Sequence, residues 1–184
     1  AGGCPPYGAA VDSTGNVWFA CNANWGNSFS ANTQTLLRFD VTDVTNFSYH
    51  TPPSTFGCFN LYGLAVDSLG RPWVGSYACG DVHRYDPAAD VWATADLGSG
   101  RAARGLAVDA TGNVYVAESS GSQMVYRFTP DMVLDRTISI GAAGGDTVGV
   151  AIDLAGRVWA VTRNTDYATR IDMSVEPPVV QSFY

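Results

Sequence analysis

The sequence contains two histidines, His50 and His83, whose side chains ordinarily exchange a proton near neutral pH. Elimination or hydrolysis would need one of them as a base, within about 3 Å of the proton that it removes. Carboxylates are plentiful, with 15 Asp and two Glu among 184 residues. The elements that carry the histidines therefore decide whether acid–base chemistry has a centre in this chain.

Metal chemistry has weak support in the sequence. The four cysteines, at 4, 21, 58 and 79, form no C-x-x-C pair, which argues against a zinc site or a thioredoxin-like redox centre. Asp-x-x-Gly turns resemble fragments of calcium loops, but the alternating oxygen ligands of D-x-[DN]-x-[DN]-G are missing. We expect structural turns and no cofactor, with an adventitious Ca²⁺ left open.

The strands of the protein can be predicted from a sequence motif, here called the repeated phrase, that occurs four times. It reads GAAVD at 8–12, GLAVD at 63–67, GLAVD at 105–109 and GVAID at 149–153, and each copy continues with x-x-Gly and an apolar strand. The aspartates are 55, 42 and 44 residues apart. Periods of about 40 to 50 residues with several short strands are typical of propeller blades.

Each copy predicts the first three strands of a blade. Glycine and alanine keep the first strand small beside a crowded axis, and Asp-x-x-Gly closes a hairpin. The second strand carries a large ring that can fill the wedge between blades: Trp18, Trp73, Tyr115 or Trp159. The third strand places an arginine at one repeat position: Arg38, Arg84, Arg127 or Arg170. Recurrence in every blade favours packing against a neighbouring blade over a ring of cationic ligands.

We therefore predict an all-β protein, a β-propeller of four four-stranded antiparallel blades in one domain. The blades are expected at about 5–50, 60–96, 102–140 and 146–184, and no sustained 3.6-residue periodicity predicts a helix. A net charge of −7 without basic clusters argues against binding to nucleic acid. No apolar run approaches the roughly 20 residues of a membrane span.

The phrases GNVWFA and GNVYVAE and the R-[FY]-D ending resemble repeats of virginiamycin B lyase-like propellers and of the related NHL and gluconolactonase-type propellers. The resemblance covers essentially the whole chain and implies the fold. It implies little about activity, because these motifs serve to pack the strands of a blade. Such propellers usually have six or seven blades. Four copies therefore favour a segment of a larger ring over a closed four-bladed ring, and two chains completing eight blades are a third alternative.

The cysteines flank the first hairpin of the first two blades. Cys4 and Cys58 precede first strands, and Cys21 and Cys79 follow second strands, at the same edge of their hairpins. We expect Cys4–Cys21 and Cys58–Cys79 bridges, with Cys21–Cys58 as the main rival. Two equivalent bridges favour an extracellular or cell-surface protein, with the periplasm also open, and a reduced cytosolic set of thiols is the alternative.

The binding and catalytic residues of propellers usually lie on the face where loops enter the first strand and leave the second. The candidate binding residues on this face are Tyr7, Trp25, Phe29, Tyr62, Tyr77, Arg104, Glu118 and Arg163. Aromatic rings among Asn and Ser suit stacking on a glycan or holding an extended peptide or protein segment. In the blander interpretation, Trp25 and Phe29 only pin a long loop to the body.

The lyase family implied by the resemblance performs a metal-assisted elimination with a histidine base and carboxylates on the axial face. Here His50 falls on an outermost strand and His83 on a third strand, so neither should reach the axis, and Glu118 has no histidine beside it. The leading hypothesis is a secreted or surface binding or structural module. The alternative is part of a virginiamycin B lyase-like enzyme. Trp25→Ala should weaken ligand capture, whereas replacing both histidines should change no activity.

Overall fold

The computed structural model describes residues 4–22, 34–53, 60–141 and 145–184, and in these ranges the chain forms sixteen strands and no helix. Each set of four consecutive strands forms one antiparallel sheet in chain order, as predicted. The first two sheets are β1 Pro6–Val11, β2 Val17–Cys21, β3 Leu36–Phe39 and β4 Phe47–His50, then β5 Leu61–Val66, β6 Pro72–Ser76, β7 Asp81–Asp86 and β8 Val91–Asp96. The last two are β9 Ala103–Val108, β10 Val114–Glu118, β11 Met124–Phe128 and β12 Leu134–Ser139, then β13 Asp146–Ile152, β14 Val158–Arg163, β15 Ala168–Asp172 and β16 Val179–Phe183.

The repeated aspartate holds both the hairpin turn and the aromatic ring of the following strand. Oδ1 of Asp67 accepts the backbone N–H groups of Leu69 and Arg71, each at 3.0 Å, while Oδ2 accepts the indole N–H of Trp73 at 3.0 Å. Gly70 completes the turn with a φ of +76°, a conformation that glycine adopts without strain. Equivalent bonds recur at Asp12, Asp109 and Asp153. The phrase therefore orients one large ring in every blade.

Three of those rings, Trp18, Trp73 and Tyr115, lie in three apolar cores, one between each pair of successive sheets. The first core joins Trp18, Ala20 and Leu36 to Leu61, Leu64, Val74 and Tyr85. The second joins Trp73, Val82 and Leu97 to Ala103, Val114, Val116, Tyr126 and Phe128, and the third joins Tyr115, Val125, Ile138 and Ile140 to Val158, Ala160 and Ile171. Among the described residues no such core joins the fourth sheet to the first. The sheets therefore pack as an open row.

The first strands of the sheets are the innermost elements and pack side by side in the order β1, β5, β9 and β13. Their backbones approach so closely that a Cβ at residue 63 would lie 1.9 Å from the carbonyl oxygen of Arg104. This contact explains the glycine of the repeated phrase, because any side chain there would overlap the next strand.

Of the repeated arginines, Arg84 contacts the next blade as predicted, whereas Arg127 and Arg170 bind partners in their own sheets. The Arg84 guanidinium donates to the carbonyl oxygen of Pro130 in the next sheet and lies 5.6 Å from the Trp73 ring centroid. Arg127 instead pairs with Asp135, and Arg170 donates to Gln181 at 2.7 Å, both within their own sheets.

The Cys4–Cys21 disulfide closes the first hairpin as predicted, with the two Cα atoms 5.0 Å apart. Cys21 is therefore not available to Cys58, and the rival pairing is wrong. Cys79 is also disulfide-bonded, and Cys58, its predicted partner, lies outside the described residues. In the described ranges no helix is long and apolar enough to cross a membrane.

Candidate functional site

The candidate site lies at the edge of the sheets where first strands begin and second strands end. One repeat position, directly before the glycine of the innermost strand, holds Tyr7, Tyr62, Arg104 or Val148. A second position, four residues after the large ring of the second strand, holds Asn22, Tyr77, Ser119 or Arg163. Apart from the tyrosine that the first two blades share, these types differ from blade to blade, whereas the turn aspartate and the large ring recur. A surface that departs from the repeat in this way is not explained by packing.

Four of the predicted residues contact one another there, and we call Tyr7, Tyr62, Tyr77 and Arg104 the tyrosine–arginine cluster. The Tyr7 and Tyr62 ring centroids are 3.8 Å apart, and the Tyr62 and Tyr77 rings stack at 4.9 Å. The Arg104 guanidinium lies 5.5 Å from the Tyr62 centroid and 5.9 Å from that of Tyr77, at cation–π distance. Residues from three blades thus form one continuous aromatic and cationic surface.

Arg163 extends this surface from the fourth blade. Its guanidinium pairs with Asp146, and this hydrogen bond is the main reason that the pKa of Arg163 is raised above its ordinary value. Tyr77 and Tyr62 contribute to the same increase, which places them within electrostatic range of the arginine. Four blades therefore contribute to the loop face, although Arg163 already has a carboxylate partner.

Glu118, the last residue of β10, is fully buried. Its carboxylate accepts the backbone N–H groups of Ala102 at 3.0 Å and Ser120 at 2.8 Å, accepts the Ser122 hydroxyl, and lies 3.6 Å from the Arg101 guanidinium. With its oxygens occupied in this way, the side chain holds two loops together below the surface. It is placed to shape the loop face and not to contact a ligand directly.

Arg104 is held by a residue that sequence reasoning did not select. Its Nη1 donates to the Ser119 hydroxyl at 3.3 Å. Aligning the residues four places after the large rings would have found Ser119, because that repeat position also supplies Tyr77 and Arg163. In the described part of the chain Arg104 forms no ion pair with a carboxylate.

Both histidines lie on outer strands of their sheets, His83 on the third strand and His50 on the fourth. His83 is buried on β7, where its Nδ1 is 2.9 Å from the Thr94 hydroxyl, and burial lowers its pKa against the opposing effect of Asp81. His50 lies on β4 with its ring 4.5 Å from that of Tyr85, and burial lowers its pKa as well. Both imidazoles therefore favour the neutral form inside the blades.

Trp25 and Phe29, the remaining predicted binding residues, lie outside the described residues. Over the ranges that the structure describes, no group of three or more His, Cys, Asp or Glu side chains is arranged to hold a metal ion. The tyrosine–arginine cluster offers two kinds of non-covalent contact: stacking on the exposed Tyr7 ring and pairing with the Arg104 cation.

Neither the family models nor the curated proteins compared with this chain gave a match. Solved structures do resemble it. Virginiamycin B lyase from Staphylococcus aureus has a TM-score of 0.78 at 18% identity, over 98% of this chain and 55% of that one. A streptogramin B lyase has a TM-score of 0.80 at 15% identity, over 98% and 54%. The WD40 β-propeller domain of Doa1 has a TM-score of 0.66 at 14% identity, over 90% and 49%.

These similarities confirm an all-β propeller fold that resembles the virginiamycin B lyase-like propellers. The sheets described above are therefore four propeller blades. The chain spans about half the length of the solved structures that it matches. At identities of 18% and below, the similarity concerns the fold alone.

Proposed function

We propose that this chain is a non-catalytic binding module that recognises its ligand at the tyrosine–arginine cluster. The observation that carries the proposal is the contact of three tyrosines and one arginine at repeat positions that differ between blades. A packing role would be served by the same residue type in every blade, as it is for the turn aspartate. Variation at two adjacent positions is what selection for one ligand would produce.

The cluster indicates the chemistry of the ligand. Tyr7 is 54% exposed and offers a ring face for stacking on a sugar or on a planar side chain. Arg104 is a cation without a carboxylate partner among the described residues, so an acidic group on the ligand could form an ion pair with it. Acidic glycans and acidic peptide or protein segments present both features. The proposal requires no cofactor.

We place this module outside the cytoplasm. The Cys4–Cys21 bridge is the observation that supports this location, because disulfides persist mainly in oxidising compartments. Secretion, attachment to the cell surface and a periplasmic location are all compatible with the bridge.

Glycan and peptide arrays test the proposal directly. We expect capture of ligands that combine a stacking surface with a carboxylate, and we expect Tyr7→Ala to weaken capture roughly tenfold, a typical effect for an aromatic anchor. Tyr184→Ala is the matched control, because Tyr184 is highly exposed at the end of the outermost strand of the fourth blade. Equal capture by both variants would contradict the assignment of the site.

A lyase is the second candidate, and it is favoured by the structural similarity to virginiamycin B lyase. The positions of His50 and His83 inside the blades weigh against it for this chain, because a base must reach the proton that it removes. Incubation with streptogramin B distinguishes the two candidates. We expect no turnover, and turnover that vanished in a folded double variant, His50→Ala with His83→Ala, would overturn the non-catalytic assignment.

A further inference from the structure

A cleft between the first two blades contains an arginine that lacks the kind of partner its counterparts have. The arginine of the third strand recurs in every blade, and in three blades its guanidinium binds an oxygen atom. The three pairs are Arg84 with the Pro130 carbonyl, Arg127 with the Asp135 carboxylate, and Arg170 with the side-chain oxygen of Gln181. Arg38 is the exception, because within the described residues its guanidinium binds no oxygen atom.

The cross-strand neighbour of Arg38 does not supply the missing oxygen. Ser48 lies directly opposite Arg38 in the pairing of β3 with β4, where the fourth blade has Gln181. The serine side chain is shorter, and its hydroxyl oxygen lies 2.8 Å from Nε2 of His50. The first blade therefore lacks the acceptor that the fourth blade carries.

A β-bulge gives the third blade a carboxylate that the first blade also lacks. The register between β11 and β12 shifts next to Arg127, and the extra residue at this shift, Asp135, binds the guanidinium. The pairing of β3 with β4 contains no such shift. The turns beside the two arginines are otherwise alike, since both read D-x-T-G-N, at 12–16 and 109–113. The first blade thus has the same arginine site without its carboxylate.

Arg38 lines a cavity of about 260 Å³ between the first and second blades. One wall is the turn at 12–16 with Trp18, and the other wall is formed by residues 69–70 and 87–88. The Arg38 guanidinium lies 5.8 Å from the Trp18 ring centroid, and its Nε is buried without a hydrogen-bond partner. The cavity therefore combines space for a ligand with an unused donor.

The cleft between the second and third blades shows how this space is closed elsewhere. There Arg71 and Arg84 both donate to the carbonyl oxygen of Pro130 across the cleft. The Nε of Arg84 is also without a partner, but another nitrogen of the same guanidinium forms this bond. In the first blade Asn16 takes the place of Arg71, and its amide donates only within its own turn. The first cleft therefore has neither of these bridging bonds.

We propose that this cavity binds a small organic carboxylate, whose oxygens take the place at Arg38 that Asp135 occupies at Arg127. A guanidinium offers two parallel N–H donors that match the two oxygens of a carboxylate. Asp12 lies in the same wall, but its oxygens already accept hydrogen bonds from its own turn and from the Trp18 indole. The cavity is smaller than the roughly 300 to 1,000 Å³ of sites for drug-sized ligands, which favours a molecule about the size of a monosaccharide acid.

Titration of D-glucuronate into isotope-labelled protein tests this site by nuclear magnetic resonance. The indole N–H of Trp18 is the reporter, because it bonds to Asp12 in the wall of the cavity. We expect its signal to shift and to saturate with a dissociation constant of roughly 1 mM, as suits one small ligand on one cation. D-glucose lacks the carboxylate and should leave the signal unchanged. Inorganic phosphate at the same ionic strength should bind more weakly than D-glucuronate, because it does not present a planar pair of oxygens.

Two substitutions remove the unused donor in different ways. Arg38→Gln should raise the dissociation constant at least about tenfold, because the charged donor is lost. Ser48→Glu keeps the arginine but places a carboxylate opposite it, so the side chain should occupy the guanidinium and weaken D-glucuronate binding as strongly. Arg170→Gln is the matched control, since this arginine holds the same repeat position in the fourth blade and should leave binding at the first cleft unchanged.

Arg104→Gln separates this site from the tyrosine–arginine cluster, and the Trp18 shift should be the same in this variant as in the wild type. The absence of a saturating Trp18 shift with D-glucuronate would overturn the proposal. A shift that persisted with equal affinity in folded Arg38→Gln or Ser48→Glu protein would overturn it too. Phosphate binding as tight as that of D-glucuronate would contradict the assignment to carboxylates.

Discussion

At the scale of single residues, each blade depends on one carboxylate that serves a turn and a ring together. Asp67 is buried, and its Oδ2 accepts both the indole N–H of Trp73 and the Nε–H of Arg71, the latter at 2.8 Å. The bond to Trp73 matters most, because this ring is fully buried in the second core. A donor left without a partner in that core costs free energy that nothing else offsets.

We predict that Asp67→Ala lowers the free energy of unfolding by roughly 1–3 kcal/mol, the cost of leaving the buried Trp73 N–H unsatisfied. Urea unfolding followed by tryptophan fluorescence measures this change. Asp153→Ala removes the same motif from the fourth blade, where Trp159 is only partly buried, and should cost less. Equal losses for the two variants would show that burial of the ring does not set the cost.

The turn aspartates also predict a pH dependence. The indole N–H of Trp159 and the donors of the turn lower the pKa of Asp153 from 3.8 to about 2. At Asp12 and Asp109 burial opposes ionisation, but hydrogen bonds from Thr14 and Thr111 and from other nearby donors outweigh it, so both pKa values are lowered too. A carboxyl whose pKa is lower in the folded state stabilises the fold above its unfolded pKa. This stability is lost as the pH falls through the folded pKa.

We therefore expect the stability advantage of the wild type over Asp153→Asn to be constant above about pH 5 and to shrink between about pH 4 and pH 2. Urea unfolding of both proteins across that range measures the difference, and the effects of the other carboxyl groups cancel. An advantage that does not change with pH would mean that ionised Asp153 is not what orders the turn.

Sequence reasoning could find the surface residues of the site but not which of them are accessible. Tyr7, Tyr62, Tyr77 and Arg104 follow from the repeat register, because the register fixes the edge of the sheet at which they lie. Glu118 follows from the same register, yet its burial depends on backbone donors at 102 and 120 that leave no trace in residue type.

At the scale of elements, the innermost strands limit what the repeat can tolerate. β5 lies against β9 at Gly63, where the backbones leave no room for a side chain. In β13 the same motif faces no further innermost strand among the described residues, so the same residues are under a weaker packing constraint there.

We predict that Gly63→Ala destabilises the fold by about 3 kcal/mol or more, since the added methyl group would overlap the Arg104 carbonyl and the strands would have to separate. Gly149→Ala should cost less than about 1 kcal/mol, because its nearest neighbour is a side-chain methyl group that can move. Thermal unfolding of the two variants and the wild type measures the difference. Equal destabilisation by both variants would contradict the packing of β5 on β9.

The strand pattern could be predicted from sequence because turn chemistry and ring position repeat four times. The faces at the two ends could not, since Phe19 and Val74 occupy equivalent strands and look alike as sequence. Val74 is buried against the first blade and Phe19 is partly exposed, a difference made by the neighbouring blade alone.

At the scale of the whole molecule, the acidic net charge of −7 and the local cation at Arg104 have opposite effects on an anionic ligand. Binding of such a ligand must therefore depend on the local site and not on the overall field. Substitutions that neutralise single arginines are therefore informative, because in the described part of the chain six of the ten arginines already pair with a carboxylate, and Arg104 does not.

Titration of a ligand identified on the arrays into matched arginine variants tests the binding role most directly. Arg104→Gln should raise the dissociation constant at least about tenfold, which corresponds to about 1.4 kcal/mol. Arg136→Gln should leave the dissociation constant unchanged, because Arg136 lies on the outermost strand β12 and pairs there with Glu176. Isothermal titration calorimetry measures both constants. A dissociation constant that is the same for Arg104→Gln and the wild type would contradict recognition at the tyrosine–arginine cluster.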